Sequence, residues 1–120
     1  MVLVIDDNEE LCEVVGDYLS LKGHQVRCAV NGDDGLRSLT SSEPRPEVIL
    51  LDLQMPVLDG WGFLIELHKN PGLADIPVVV MSAYPDAAER AIRLGAVAVV
   101  RKPVEPQALL RIVDRFSTHH

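Results

Sequence analysis

The sequence predicts an α/β fold, a doubly wound parallel sheet of five strands with five helices on its two faces, and three observations carry that prediction. Four short, continuous, mostly β-branched apolar runs read as strands buried on both faces, and a fifth, more polar run suits an edge. Segments with helical periodicity alternate with these runs, and Gly, Pro or Asn turn signals stand between successive elements. Composition agrees, because aromatic residues make up only 4% of the chain while Val, Leu, Ile and Ala are abundant.

Residues 2–5 (Val-Leu-Val-Ile) read as the first strand. Leu11, Val14, Val15, Tyr18 and Leu19 then recur on one helical face, and Lys22-Gly23 ends that helix. The run 25–29 is the weaker, edge-like strand; Asn31-Gly32 precedes a second helix over 32–39. Pro44-Arg45-Pro46 breaks the chain before the strand 48–51, a third helix follows over 61–68, and Asn70-Pro71-Gly72 closes it. The strand 78–81 leads to a helix over 86–94, stopped at Leu94-Gly95, and then to a last buried strand, 97–100. Leu109, Ile112, Val113 and Phe116 mark the buried face of the final helix. Strands alternating with helices imply right-handed crossovers, and no repeat, low-complexity tract or linker interrupts the pattern.

A chain of 120 residues with 48% hydrophobic content buries a core as one domain without disulfides or a structural metal. The net charge of −7 excludes a sequence-independent nucleic-acid binder, which needs a basic footprint, so any DNA contact belongs to another domain. Cys12 and Cys28 are too few for a zinc site, and their apolar surroundings predict two small buried hydrophobes rather than a disulfide. No apolar run reaches membrane-spanning length and the start of the chain has neither a basic flank nor a cleavage site, so the expectation is a soluble cytosolic protein without a membrane partner. The domain is taken as residues 1–118, with His119 and His120 either a tag remnant or the native end.

In an open sheet of this kind the working site lies beyond the carboxyl ends of the strands. The residues there are Asp6 and Asp7, Asp52, Ser82 and Ala83, and Lys102 and Pro103. Clustered carboxylates repel one another unless a cation compensates them, and an all-oxygen acidic cleft suits a hard cation such as magnesium, with manganese able to substitute. A carboxylate can also serve as a nucleophile and form an acyl phosphate, provided that the charge on the transferred phosphoryl is stabilised. The metal, the Lys102 ammonium and the Ser82 hydroxyl are suitable stabilisers, one for each equatorial oxygen.

Asp6-Asp7, Asp52 followed by Met55-Pro56 and Asp59-Gly60, Ser82-Ala83, Gly95-Ala96 and Lys102-Pro103 together resemble the receiver domains of response regulators, over essentially the whole chain. The resemblance implies a flavodoxin-like sheet of order 2-1-3-4-5 and Asp52 as the phosphorylation site. It also implies magnesium bound directly by Asp7, Asp52 and the backbone carbonyl of Gln54, and by Asp6 through water. Lys102 contacts the phosphate in this reading, Ser82 moves onto it, and the peptide before Pro103 is cis. Implied partners are a histidine kinase or a histidine phosphotransfer protein, with a homodimer through the face of the fourth helix, fifth strand and fifth helix. Such a domain is not an enzyme with an exogenous substrate; it catalyses its own aspartyl phosphorylation and dephosphorylation.

Single residues admit plainer readings. Asp6 and Asp7 read equally well as caps of the first helix. Asp59-Gly60 reads as a turn feeding the third helix, Trp61 as an exposed contact or a partial cover for the site, and His24 and His68 as surface residues. The chain departs from receivers at Val99, where an aromatic usually swings between rotamers, so the familiar readout cannot operate in its usual form. In the family that the chain resembles, the side chains at the positions of Gln54 and Tyr84 govern attack of water on the phosphoryl group, so a bulky Tyr84 implies slow self-dephosphorylation. An aspartyl phosphohydrolase needs a second Asp where Gln54 stands. A flavin or nucleotide module needs a Gly/Ser/Thr-rich phosphate loop where this chain has Asp6-Asp7-Asn8-Glu9-Glu10. A pseudo-receiver used purely for protein interaction finds support only in Val99.

Overall fold

The computed structural model of the chain describes residues 1–40, 45–55, 58–84 and 86–117. Pro44 of the predicted turn, Pro56 of the Met55-Pro56 pair, and His119 and His120 lie outside the described residues. The elements are β1 (Val2–Ile5), α1 (Glu9–Leu21), β2 (Val26–Ala29), α2 (Gly32–Thr40), β3 (Val48–Asp52), α3 (Gly60–Lys69), β4 (Val78–Ser82), α4 (Ala87–Arg93), β5 (Ala98–Arg101) and α5 (Pro106–Phe116). All neighbouring strands pair in parallel, in the order β2-β1-β3-β4-β5.

Alternation along each strand divides the core into two layers. Leu3, Ile5, Ile49, Leu51, Val78 and Val80 face Phe63, Leu64 and Leu67 of α3 and Ala91 of α4, with Leu36 and Leu39 of α2 at the margin. Val2, Val4, Val48, Leu50, Val79 and Met81 face Cys12, Val15 and Leu19 of α1 and Leu109 and Val113 of α5. Sheet side chains with helices on both sides have no exposed face, which is why these strands read as unbroken apolar runs. Gly23 (φ +95°) and Gly95 (φ +108°) take the left-handed conformation just past α1 and α4, as the turn signals predict.

The structure corrects the sequence reading in four places. The last strand begins one residue later than predicted and is only partly buried, because the strand order places it at the second edge of the sheet. Val14 is 53% exposed; the buried stripe of α1 runs through Cys12, Val15 and Leu19 instead. Cys12 and Cys28 are not two separate buried hydrophobes but a disulfide pair, with Cα atoms 6.3 Å apart and Cys28 exposed. The cause is packing of α1 across β2, which sets Cys12 beside a strand residue 16 positions later. His24 is no surface residue either: its largely buried ring lies 2.8 Å from Asp114 Oδ1, a partner 90 residues away.

Gly60 fixes how the end of β3 meets α3. A Cβ at this position would stand 2.5 Å from both the Asp52 carbonyl oxygen and the Leu53 Cα, backbone atoms that cannot step aside. Gly60→Ala is therefore expected to cost about 3 kcal/mol in urea denaturation. Gly62→Ala, whose Cβ meets the flexible end of the Leu58 side chain, is expected to cost clearly less. Equal costs for the two would remove the steric account.

Candidate functional site

Because all the strands run in parallel, Asp6, Asp52, Ser82 and Lys102 end on one rim of the sheet. Asp6 follows β1, where its N–H donates to the Ala29 carbonyl at 3.0 Å. Its carboxylate is buried and accepts from the Asn8 N–H (2.9 Å) and from Lys102 Nζ (3.2 Å). Asn8, not either acid, caps α1, its side chain accepting from the Leu11 N–H at 3.1 Å. The capping alternative for Asp6 and Asp7 therefore fails, and both are free for other work. Asn8 ahead of Glu9-Glu10 is a cap followed by an acidic first turn, a local signal present in the sequence itself.

Asp52, 4% exposed at the end of β3, accepts from the Gln54 N–H at 3.3 Å and lies 3.2 Å from Lys102 Nζ. Oxygens of Asp6, Asp7 and Asp52 all lie within 4.8 Å of one another. Three carboxylates facing one ammonium leave negative charge uncompensated, and their oxygens are the donors that magnesium takes, so the residues present fit a hard divalent cation. Burial raises the Asp52 carboxyl above its usual range, Asp6 raises it further, and Lys102 and the Gln54 N–H oppose them. Burial pulls the Lys102 ammonium down, but Asp6 and Asp52 together outweigh it and leave it above its ordinary value.

Ser82 ends β4, buried, with its hydroxyl turned to its own loop: Oγ accepts from the Tyr84 N–H (3.0 Å) and donates to the Tyr84 carbonyl (3.4 Å). The Lys102 N–H donates to the Ser82 carbonyl at 2.9 Å, tying the two loops together, and the Lys102–Pro103 peptide is cis. Ala83 is exposed beside it. Asp59 caps α3, accepting from the Gly62 N–H at 3.0 Å, so its place in the site is structural. Met55 is buried, while Gln54 is exposed.

Gln54 and Tyr84 line a cleft of about 390 Å³ with Trp61, Asp86, Ala87 and Arg90. Trp61 is half-buried there, and the Arg90 guanidinium lies over its ring at 4.3 Å. The pairing joins α3 to α4 and could not be read from a separation of nearly 30 positions. Val99 is half-buried against the core layer under α2, α3 and α4, and carries no ring that could swing outward.

The family model for the response regulator receiver domain matches residues 2–114. The chain belongs to the response regulator receiver domain family. It is 34% identical over 128 residues to the probable transcriptional regulator ycf27 of Porphyridium aerugineum, covering 99% of this chain and 51% of that protein. It is 36% identical to the chemotaxis protein CheV3 of Helicobacter pylori, over 84% of this chain and 36% of that one. The chain thus spans about half or less of the length of these curated relatives. Among solved structures, the receiver domain of NtrX from Brucella abortus superposes with a TM-score of 0.86 at 29% identity, each chain covered in full. Chemotaxis protein CheY4 of Vibrio cholerae gives a TM-score of 0.86 at 25% identity over 97% of both chains. The order 2-1-3-4-5 and the flavodoxin-like fold expected from the sequence are those of the receiver family. This receiver domain is a signalling module of two-component systems, and among its described residues no helix is long and apolar enough to cross a membrane.

Proposed function

We propose that this receiver, taken as residues 1–118, accepts a phosphoryl group on Asp52 from a phosphohistidine on a histidine kinase or a histidine phosphotransfer protein. The observation that carries the reading is the convergence of three carboxylates within 4.8 Å beside an ammonium 3.2 Å from the Asp52 oxygen. Asp6, Asp7, Asp52 and the Gln54 backbone carbonyl would together hold a magnesium ion. When bound, the ion supplies positive charge that neutralises the acids and the phosphoryl oxygens.

An Asp52 carboxylate oxygen attacks the phosphorus, the phosphorus–nitrogen bond to the donor histidine breaks, and the imidazole departs. Lys102 holds one phosphoryl oxygen as a point charge, and Ser82 leaves the Tyr84 backbone to donate its hydroxyl to another. Repositioning of Ser82 and Lys102 pulls on the two loops that they begin. The change is then carried to the face of α4, β5 and α5 by helix movement, since Val99 has no ring to rotate. That face is where a partner or a second copy docks, in the cytoplasm and without direct contact to nucleic acid.

Tyr84 is 53% exposed and shares the cleft with Gln54, which supports Tyr84 as the side chain that screens the phosphoryl group from water. Tyr84→Ala is expected to shorten the lifetime of the phosphorylated protein by a factor of about three or more, followed by intact mass after removal of the donor. An unchanged or longer lifetime would take Tyr84 out of this role.

The reading as a whole is tested by intact-mass spectrometry after incubation with acetyl phosphate, with and without magnesium. A single labile phosphoryl adduct that requires the metal and maps to the peptide holding Asp52 is the expected result. No adduct on folded protein under either condition would leave the pseudo-receiver as the better account.

A further inference from the structure

We propose that Cys12 and Cys28 are a reversible thiol–disulfide site whose closure clamps the loop carrying Asp6 and Asp7. The cysteine Cα atoms are 6.3 Å apart, within the span that a disulfide bridges without backbone movement. Each cysteine is also tied to the acid loop by its neighbours. The Cys12 N–H donates to the Asn8 carbonyl at 3.1 Å, and the Asn8 N–H donates to the Asp6 carboxylate at 2.9 Å. On the other side, Ala29, next to Cys28, accepts from the Asp6 N–H at 3.0 Å. The sulfur–sulfur bond thus completes a ring through Cys28, Ala29, Asp6, Asn8 and Cys12 in which every other link is the chain or a hydrogen bond. Opening that bond leaves the end of β2 held to the acid loop by the Asp6–Ala29 hydrogen bond beyond its ladder with β1, and the first turn of α1 held by the chain and the Cys12–Asn8 hydrogen bond, with no covalent tie between the two sides.

The site is reachable. Cys28 is exposed on an edge strand, and the pair lines a cleft of about 240 Å³ with Asp6, Glu9, Glu13, Ala29 and Val30. An exposed disulfide belongs to the labile class rather than the reduction-resistant structural class. The exposed Glu9 and Glu13 give the rim negative charge, so the co-reactant that fits is a neutral or cationic small disulfide rather than an anionic one. The Cys28 thiolate attacks one sulfur of that reagent, forming a mixed disulfide and releasing one thiolate. The Cys12 thiolate then attacks Cys28 Sγ, forming the internal disulfide and releasing the second thiolate. The two protons lost by the cysteines are taken up by the two released thiolates. The reagent gains two electrons and the cysteine pair loses two.

The effect of the clamp on cation binding rests on the receiver reading above, and the experiment keeps the two apart. The whole chain is equilibrated in cystamine and cysteamine mixtures, trapped by alkylation and weighed, beside Cys28→Ser at its exposed position. The expected result is a monomeric internal disulfide that reverts with excess cysteamine, amides of residues 6–12 exchanging about tenfold more slowly when oxidised, and tighter magnesium binding in that form. Cys28→Ser is expected to show the fast exchange in every mixture. A bond that excess thiol cannot open in the folded protein, a mixed disulfide on Cys28 alone, or equal exchange in both forms would each overturn the clamp. Magnesium bound equally by both forms would overturn its influence on the site; magnesium bound by neither would instead overturn the receiver chemistry, with amide exchange still deciding the clamp.

Discussion

Asp52→Asn is expected to abolish phosphoryl uptake and, at neutral pH, to stabilise the metal-free protein. The loss follows from the nucleophile: a neutral amide cannot form the acyl phosphate. The gain follows from charge. Asp52 is buried beside buried Asp6, and its carboxyl is held above the usual range first by burial and then by that neighbour. A raised folded-state value means that the folded protein binds the proton more tightly than the unfolded chain, so stability declines as pH rises through the window above the ordinary carboxyl range. At neutral pH the wild type sits at the bottom of that decline and the asparagine variant does not take part in it. The expected gain is on the order of 1 kcal/mol in urea denaturation at pH 7, shrinking as the pH falls into the range where Asp52 itself is protonated. Adding magnesium should reverse the ranking, because only the wild type keeps the full set of acids. A variant that loses phosphorylation and is also less stable without metal at pH 7 would contradict the electrostatic part of this account.

Lys102→Met is expected to slow phosphorylation of Asp52 by about 10²- to 10³-fold at saturating magnesium, the usual loss when one preorganised stabiliser of transferred charge is removed. Methionine keeps the length of the side chain and deletes its charge. The ammonium stands 3.2 Å from an oxygen of each buried acid, so the same substitution leaves Asp6 and Asp52 facing each other without their shared cation. Metal-free Lys102→Met is therefore expected to be less stable than wild type and to gain more from magnesium. Initial rates of adduct formation with acetyl phosphate, beside urea denaturation with and without magnesium, separate the two effects. A rate within about twofold of wild type would reduce Lys102 to a structural counter-ion.

How far the sequence alone reached depends on what each feature needs. Residues such as Val48, Ile49, Leu50 and Leu51 announce a buried strand because covering both faces of a sheet removes the need for polar alternation, and their end then locates Asp52. Strand ends in turn place Asp6, Ser82 and Lys102 on one rim, so the grouping of the site was legible from local pattern plus parallel topology. What escaped depends on which elements become neighbours. The run at 97–100 is as apolar as the central strands, yet β5 lies at an edge, and nothing local separates those cases. Cys12 and Cys28 look like isolated hydrophobes until α1 is laid across β2. His24 finds Asp114, and Arg90 finds Trp61, only after the chain has folded. The role of Asn8 is a different kind of omission, since a polar residue before two acids is a local cap signal that was overshadowed by the chemistry of Asp6 and Asp7 beside it.

The guanidinium of Arg90 over the ring of Trp61 gives the protein an optical property of its own. Trp61 is the single indole in the chain, and its surroundings are set by α3 beneath it and by a cation borrowed from α4. Any displacement of α4 that withdraws the cation changes the local field and polarity at that ring, and near-ultraviolet emission follows the change without an attached dye. Motion on one side of the sheet is thereby written into a signal that a fluorimeter reads in real time.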